Sequence, residues 1–122
     1  MSSPEFAGLR PEVWVDGWGF VSGVGPADPE NAAAALPESV EDQTRKIFAN
    51  LERALQKRGL SRSHVVNVRI HIVQWERFHA RMERIYQEFF SISRPPAVSC
   101  IGVSALTRGA LVEMDFIVRE AT

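Results

Sequence analysis

Two carboxylates stand in the middle of an otherwise apolar segment near the end of the chain. In the segment Ala110 to Val118, Glu113 and Asp115 alternate with apolar residues, so a β-strand places both acids on one face. A carboxylate partly withdrawn from water is a suitable general base. Glu113 is therefore the candidate catalytic residue, and the alternative is a structural glutamate that binds backbone groups at a subunit contact.

The only cysteine, Cys100, lies in a second apolar segment, Ala97 to Val103. A thiol on a strand mostly packs as a small hydrophobic group, and no motif ties a histidine to Cys100 as a base. His64, His71 and His79 are predicted on a loop, a strand and a helix, without a carboxylate or thiol at ligand spacing. The sequence therefore predicts no metal site and no cofactor.

A β-hairpin is predicted for Glu12 to Val24, with Asp16 and Gly17 in its turn. Gly23 falls late in the second strand of this hairpin. Glycine in a strand marks a bulge or a place where another backbone or a ligand comes close. Gly23 is thus a candidate for either role, and close packing is the structural alternative.

Two amphipathic helices follow. The first begins at Ser39, a capping residue, and ends at Gly59. The second spans about Gln74 to Phe90. The stripe of the first helix comprises Val40, Ile47, Phe48, Leu51, Ala54 and Leu55, and the buried seam of the second comprises Trp75, Phe78, Met82, Ile85 and Phe89, with Tyr86 also in the core.

The apolar stripes of these helices need one apolar face of a β-sheet to pack against, which predicts an α+β fold. It is expected to comprise Val66, Val68, Ile70 and Ile72 of a strand Val65 to Val73, with Val112, Met114, Phe116 and Val118. The opposite face then collects Asn67, Arg69, His71, Val98, Cys100, Leu111, Glu113, Asp115 and Ile117. That face is too apolar to be left in water, so oligomerisation through it is expected, with a site between subunits.

Composition limits the classes of function. The 122 residues fit a single domain, 1–122, of which 1–10 are interpreted as a frayed arm or partly an expression remnant. Fourteen basic and fifteen acidic residues give a net charge of -1, which argues against nucleic acid and membrane surfaces as partners. A single cysteine and the lack of a leader or long apolar span predict a cytoplasmic protein.

The order of elements and three segments resemble the reactive intermediate deaminase family (RidA, also called YjgF). The segments are GFVSGVGPADP, EDQTRKIFANLERAL and PPAVSCIGVSALTRGALVEMDFIV. The resemblance covers Val13 to Val118. It implies a chorismate-mutase-like fold, a homotrimer with clefts between subunits, and hydrolysis of enamines or imines with release of ammonia.

The resemblance also assigns site residues one by one. Glu113 falls on the family's site glutamate, and Ser22, Gly23, Ser99 and Cys100 match residues that line the cleft. Val98 stands where active members have an arginine that binds the substrate carboxylate. The family's tyrosine is absent near Leu9, and its helix asparagine is replaced in the region of Met82 and Glu83.

Three arginines are considered as substitutes for the missing one: Arg69, Arg94 and Arg108. A structural ion pair with Asp115 is the alternative for Arg69, and a loop-surface role is the alternative for Arg108. Two functions of different class remain. One is a deaminase-type hydrolase of altered substrate, and the other is a non-catalytic family member that binds a small metabolite or a partner protein.

Overall fold

A five-stranded mixed sheet carries two helices on one face in the computed structural model, which describes residues 10–121. The predicted arm, 1–10, lies outside the described residues except for Arg10. The elements are β1 (Glu12–Val15), β2 (Trp18–Val24), α1 (Val40–Gln56), β3 (Val65–Val73), α2 (Trp75–Phe89), β4 (Ala97–Val103) and β5 (Val112–Arg119). The strand order is β1-β2-β5-β3-β4, and only the β3–β4 pairing is parallel. The α+β prediction is confirmed.

The β1–β2 hairpin forms as predicted because its two turn residues adopt positive φ. Asp16 has φ 50 and Gly17 has φ 79, a combination that matches the twist of the flanking strands. Gly19 lies opposite Trp14 in the ladder, and a Cβ added at Gly19 would clash with the indole ring of Trp14. The glycine therefore makes room for the indole on the helix side of the sheet.

Helix α1 has the predicted caps. Ser39 Oγ accepts the backbone N–H of Asp42 at 3.0 Å, and Gly59 takes the left-handed conformation, with φ 70, just after the helix. The predicted stripe is buried, with Ala54 half-buried. Two buried polar residues, Gln43 and Thr44, escaped prediction. Gln43 donates to Pro37 O and accepts from Leu111 N, both at 2.8 Å, and so ties the helix to the segment before β5.

Helix α2 buries most of its predicted seam. Phe78, Met82 and Ile85 are buried together with Tyr86, and Phe89 is partly buried. The prediction that Trp75 lies in the core is wrong, because its side chain is 39% exposed. Its ring lies over Gly102 of the edge strand, where no further strand follows to cover it.

Strand β3 departs from strict alternation at its start. The register with β5 shifts between Val65 and Asn67, which is the signature of a β-bulge. As a result Val65 is 2% exposed and Val66 is 41% exposed. The prediction that Val66 points inward is wrong, whereas Val68, Ile70 and Ile72 are buried as expected, with Val112, Met114, Phe116 and Val118 of β5.

Strand β4 faces the other way from the prediction. Its parallel register pairs Val98 with Val68 and Cys100 with Ile70, and laterally paired residues point to the same side of a sheet. Val98 and Cys100 therefore lie on the helix side, and the prediction that they share the face of Glu113 is wrong. Ser99 and Ile101 share that face instead. The face away from the helices, here called the open face, carries Asn67, Arg69, His71, Ser99, Ile101, Glu113, Asp115 and Ile117.

Candidate functional site

The predicted bulge at Gly23 forms beside both candidate carboxylates. The β2–β5 register shifts between Val21 and Val24, and Gly23, at φ 62, donates its backbone N–H to Asp115 Oδ1 at 2.7 Å. A Cβ at Gly23 would lie 3.8 Å from Glu113 Oε1. The glycine therefore keeps the space beside the Glu113 carboxylate open, and Asp115 holds the backbone there.

Glu113 is half-buried on the open face and accepts no hydrogen bond from another described residue. Its cross-strand partner is His71, so the two Cβ atoms are about 5 Å apart. The Nδ1 atom of His71 is buried and lacks a partner within the described part of the chain. The carboxylate and the imidazole thus stand side by side on the open face, with no hydrogen bond joining them among the described residues.

Arg69 lies on the same face, opposite Asp115 and next to Ser99. The predicted alternative of an Arg69–Asp115 ion pair is wrong, because Asp115 binds the Gly23 amide and no such pair forms. Arg69 is exposed. A cation therefore stands two residues along β3 from His71, on the same face as the Glu113–His71 pair.

Neither of the two other candidate arginines forms a hydrogen bond or ion pair with Glu113 in the described part of the chain. Arg108 lies in a short 3-10 turn, Thr107–Gly109, and donates to Ala34 O at 3.2 Å, which fits the loop-surface alternative. Arg94 precedes β4 and lines a groove with Arg119. Strand β4 begins opposite Asn67, and Asn67 lies four residues along β3 from His71, the cross-strand partner of Glu113. Arg94 precedes β4, so it lies more than about 13 Å from Glu113 measured along the strands.

Ser22 and Gly23 line a groove between β2 and α1 with a volume of about 290 Å³, together with Asn50, Arg53 and Lys57 among other residues. Ser22 is exposed, and its backbone N–H donates to Pro11 O at 2.8 Å. Both residues predicted to line a cleft therefore border this groove on the α1 side of the sheet, and Glu113 is not among the residues that line it.

Val98 and Cys100 form a separate surface at the sheet edge. Val98 is 49% exposed and Cys100 is half-buried. Because β3 separates β4 from β5, these residues are two strand spacings, about 10 Å, from β5, and they point to the other side of the sheet from Glu113. Within one chain, a small ligand cannot touch both groups of residues.

The thiol of Cys100 is a poor nucleophile at neutral pH. Burial first, and the nearby Glu83 carboxylate second, raise the pKa of Cys100 to about 11. On the second helix Met82 is in the core, whereas Glu83 is exposed and lies close enough to Cys100 to act on its thiol.

The described residues contain no group of three or more His, Cys, Asp or Glu side chains that could hold a metal ion. In the same part of the chain, every helix is too short or too polar to cross a membrane.

Comparison with known proteins gives consistent results. The family model described as Endoribonuclease L-PSP matches residues 6–120. A RutC family protein of Aquifex aeolicus is 33% identical over 106 residues, which cover 86% of this chain and 82% of that protein.

Two solved structures have the same fold. The Rid family protein YyfA of Yersinia pestis superposes with a TM-score of 0.84 at 28% identity, over 91% of this chain and 86% of that one. E. coli TdcF with bound serine superposes with a TM-score of 0.81 at 25% identity, over 91% of this chain and 87% of that one.

Proposed function

The chain belongs to the endoribonuclease L-PSP family, also called the RidA/YjgF family, and from this membership we propose that it is a homotrimeric hydrolase of small imines or enamines. Glu113 is the general base of the proposed reaction. The observation that carries the proposal is the free Glu113 carboxylate beside the Gly23 bulge.

The separation of the site residues supports a site between subunits. Glu113 and Gly23 border the open face of one chain, whereas Val98 and Cys100 lie at the edge on its helix side. A cleft that unites them requires the edge of one copy to meet the open face of another. Exposed apolar side chains of Val15, Trp18, Phe20 and Ile101 on the open face provide a surface for such a contact.

The chemistry follows from the groups beside Gly23. Glu113 takes a proton from a water molecule while the water oxygen attacks the imine carbon, and it delivers this proton to the imine nitrogen, which gives a neutral carbinolamine. Glu113 then passes the proton of the carbinolamine hydroxyl to the nitrogen, the C–N bond breaks, and ammonia leaves as the carbonyl forms. His71, the cross-strand neighbour of Glu113, is the second group that can hold a proton during these transfers.

A coupled assay of ammonia release from freshly generated imines tests the proposal. We expect release well above the buffer rate for the native protein. Glu113→Gln is expected to lower kcat by about 10² to 10⁴, the usual contribution of a positioned general base. Glu88→Gln, an exposed glutamate of α2, serves as the control and should leave kcat unchanged. A Glu113→Gln variant as active as the native protein would refute the assignment.

A second function is favoured by Val98, which replaces the arginine expected from the family resemblance. In this alternative the trimer binds a small metabolite or a partner protein without catalysis. Its signature is a ligand that binds with no ammonia release from any imine tested. Val98→Arg separates the two possibilities further, because a gain of activity toward an amino-acid-derived imine would show that only the guanidinium is missing.

A further inference from the structure

A groove at the far end of the sheet from Glu113 collects several hydrogen-bond donors. It has a volume of about 270 Å³ and lies between the start of β3, the segment before β4 and the end of β5. A second groove, of about 510 Å³, continues it, because Ser63 and Arg94 line both. Arg119, at the end of β5, lies six residues from Glu113, which is about 20 Å along the strand. The groove is therefore separate from the carboxylate of the proposed reaction.

His64 contributes an N–H donor because its other ring nitrogen is already occupied. The residue ends the short 3-10 turn Arg62–His64, and its Nδ1 atom accepts the backbone N–H of Ser61 at 3.2 Å. A neutral imidazole carries one proton, so an acceptor at Nδ1 leaves that proton on Nε2. Nε2 has no hydrogen-bond partner among the described residues. The ring, which lines the groove, therefore has a donor available for a ligand.

Two arginines bring positive charge to the groove. Arg94 is exposed and forms no ion pair or hydrogen bond within residues 10–121, and the two prolines that follow it restrict its backbone. The Arg119 guanidinium lies 4.6 Å from the centroid of the Trp18 ring and donates to Asp16 O at 3.4 Å. Both of these partners are neutral, so they hold the guanidinium without cancelling its charge.

The acids near these arginines in the chain are engaged elsewhere. Glu120, which follows Arg119, pairs with Arg58 at 3.2 Å. Glu52 pairs with Arg62 at 2.9 Å. None of the described residues that line the two grooves is Asp or Glu. The groove therefore favours an anion.

The bulge at the start of β3 adds a small apolar wall. The shift in register turns Val66 outward, where it is 41% exposed. Val66 lines the groove together with Pro95 and Pro96. Burial of this surface by the apolar part of a ligand is favourable. The groove thus combines charged donors on one side with an apolar contact on the other.

A phosphate monoester matches both sides of the groove. Its phosphate carries nearly two negative charges and three acceptor oxygens, which suit guanidinium groups. A carboxylate has one charge and two oxygens and so matches two arginines less well. We propose that the groove formed by Ser63, His64, Val66, Arg94 and Arg119 binds a small phosphate monoester with an apolar substituent. This binding does not depend on the proposed hydrolysis of imines.

The test measures the binding of phenyl phosphate, inorganic phosphate and phenol by calorimetry at constant ionic strength, and the amide signals of Ser63 and His64 in NMR spectra locate the site. The native protein is expected to bind phenyl phosphate more tightly than the other two ligands. Arg94→Gln should weaken phenyl phosphate binding by about fivefold, the upper range for an exposed charge pair. Arg45→Gln removes an exposed arginine of α1 that does not line the groove. It changes the net charge equally and should leave binding unchanged.

Two further variants separate the polar side of the groove from the apolar side. His64→Asn keeps an acceptor for the Ser61 N–H but lacks Nε2, and it should weaken phenyl phosphate binding by about threefold, the net effect of one hydrogen bond. Val66→Ser should weaken the binding of phenyl phosphate and leave that of inorganic phosphate unchanged. Absence of phenyl phosphate binding by the native protein would overturn the proposal. Equal effects of Arg94→Gln and Arg45→Gln, or equal affinities for phenyl phosphate and inorganic phosphate, would overturn it as well.

Discussion

Replacement of Asp115 by alanine should loosen the bulge that opens the site. The carboxylate accepts the Gly23 N–H at 2.7 Å, a short, charge-assisted hydrogen bond. Such a bond contributes about 1.5–3 kcal/mol, and the lower end applies because the bond is accessible to water. We therefore expect Asp115→Ala to lower the free energy of unfolding by about 1.5 kcal/mol, which corresponds to a fall in Tm of roughly 5 °C for a chain of this size.

Urea unfolding at a fixed protein concentration measures this loss, since the stability of an oligomer depends on concentration. Asp115→Asn keeps an acceptor oxygen and should lose only about a third as much. Exposed Glu88→Ala serves as the control and should stay within about 0.5 kcal/mol. The Gly23 amide signal in NMR spectra should move on Asp115→Ala. An unchanged signal together with unchanged stability would refute the view that Asp115 holds the bulge.

Three further outcomes follow from single side chains. Because the pKa of Cys100 is about 11, alkylation by iodoacetamide at pH 7 should be about 100-fold slower in the folded than in the unfolded protein, and equal rates would contradict this. Burial raises the pKa of Tyr86 to about 12, so the stability that Tyr86 contributes below pH 10 is lost between pH 10 and 12. In urea unfolding, the free energy of unfolding of Tyr86→Phe should therefore fall less over that pH range than that of the native protein. Gly19→Ala should lower the unfolding free energy by about 2–3 kcal/mol because its Cβ meets Trp14, whereas Gly25→Ala, with open space around it, should change it little.

Local signals predicted the elements well. The cap at Ser39 and the stop at Gly59 depend on hydrogen bonds and φ values within a few residues of each other, so the chain itself encodes them. The turn at Asp16 and Gly17 is local in the same sense. The carboxylates Glu113 and Asp115 share a face because the period of a strand is two residues.

The errors have one physical origin, which is the position of one segment relative to another. Alternation divides β4 into two sets of residues, but only its register with β3 decides that Val98 and Cys100 face the helices. One extra residue at the start of β3 turns Val66 outward. Trp75 is exposed because its helix turn lies over the last strand of the sheet, where nothing further covers it.

The sequence by itself determined the helices, the strands, the resemblance to a family and the choice of Glu113 as the candidate base. These features rest on residue types and on spacings within a segment. Only the tertiary structure decided that His71 and Arg69 stand beside Glu113, and that Glu83 lies near Cys100. Such neighbours come from strand register and from helix-on-sheet packing, which join residues far apart in the chain and therefore leave no periodic signal in it.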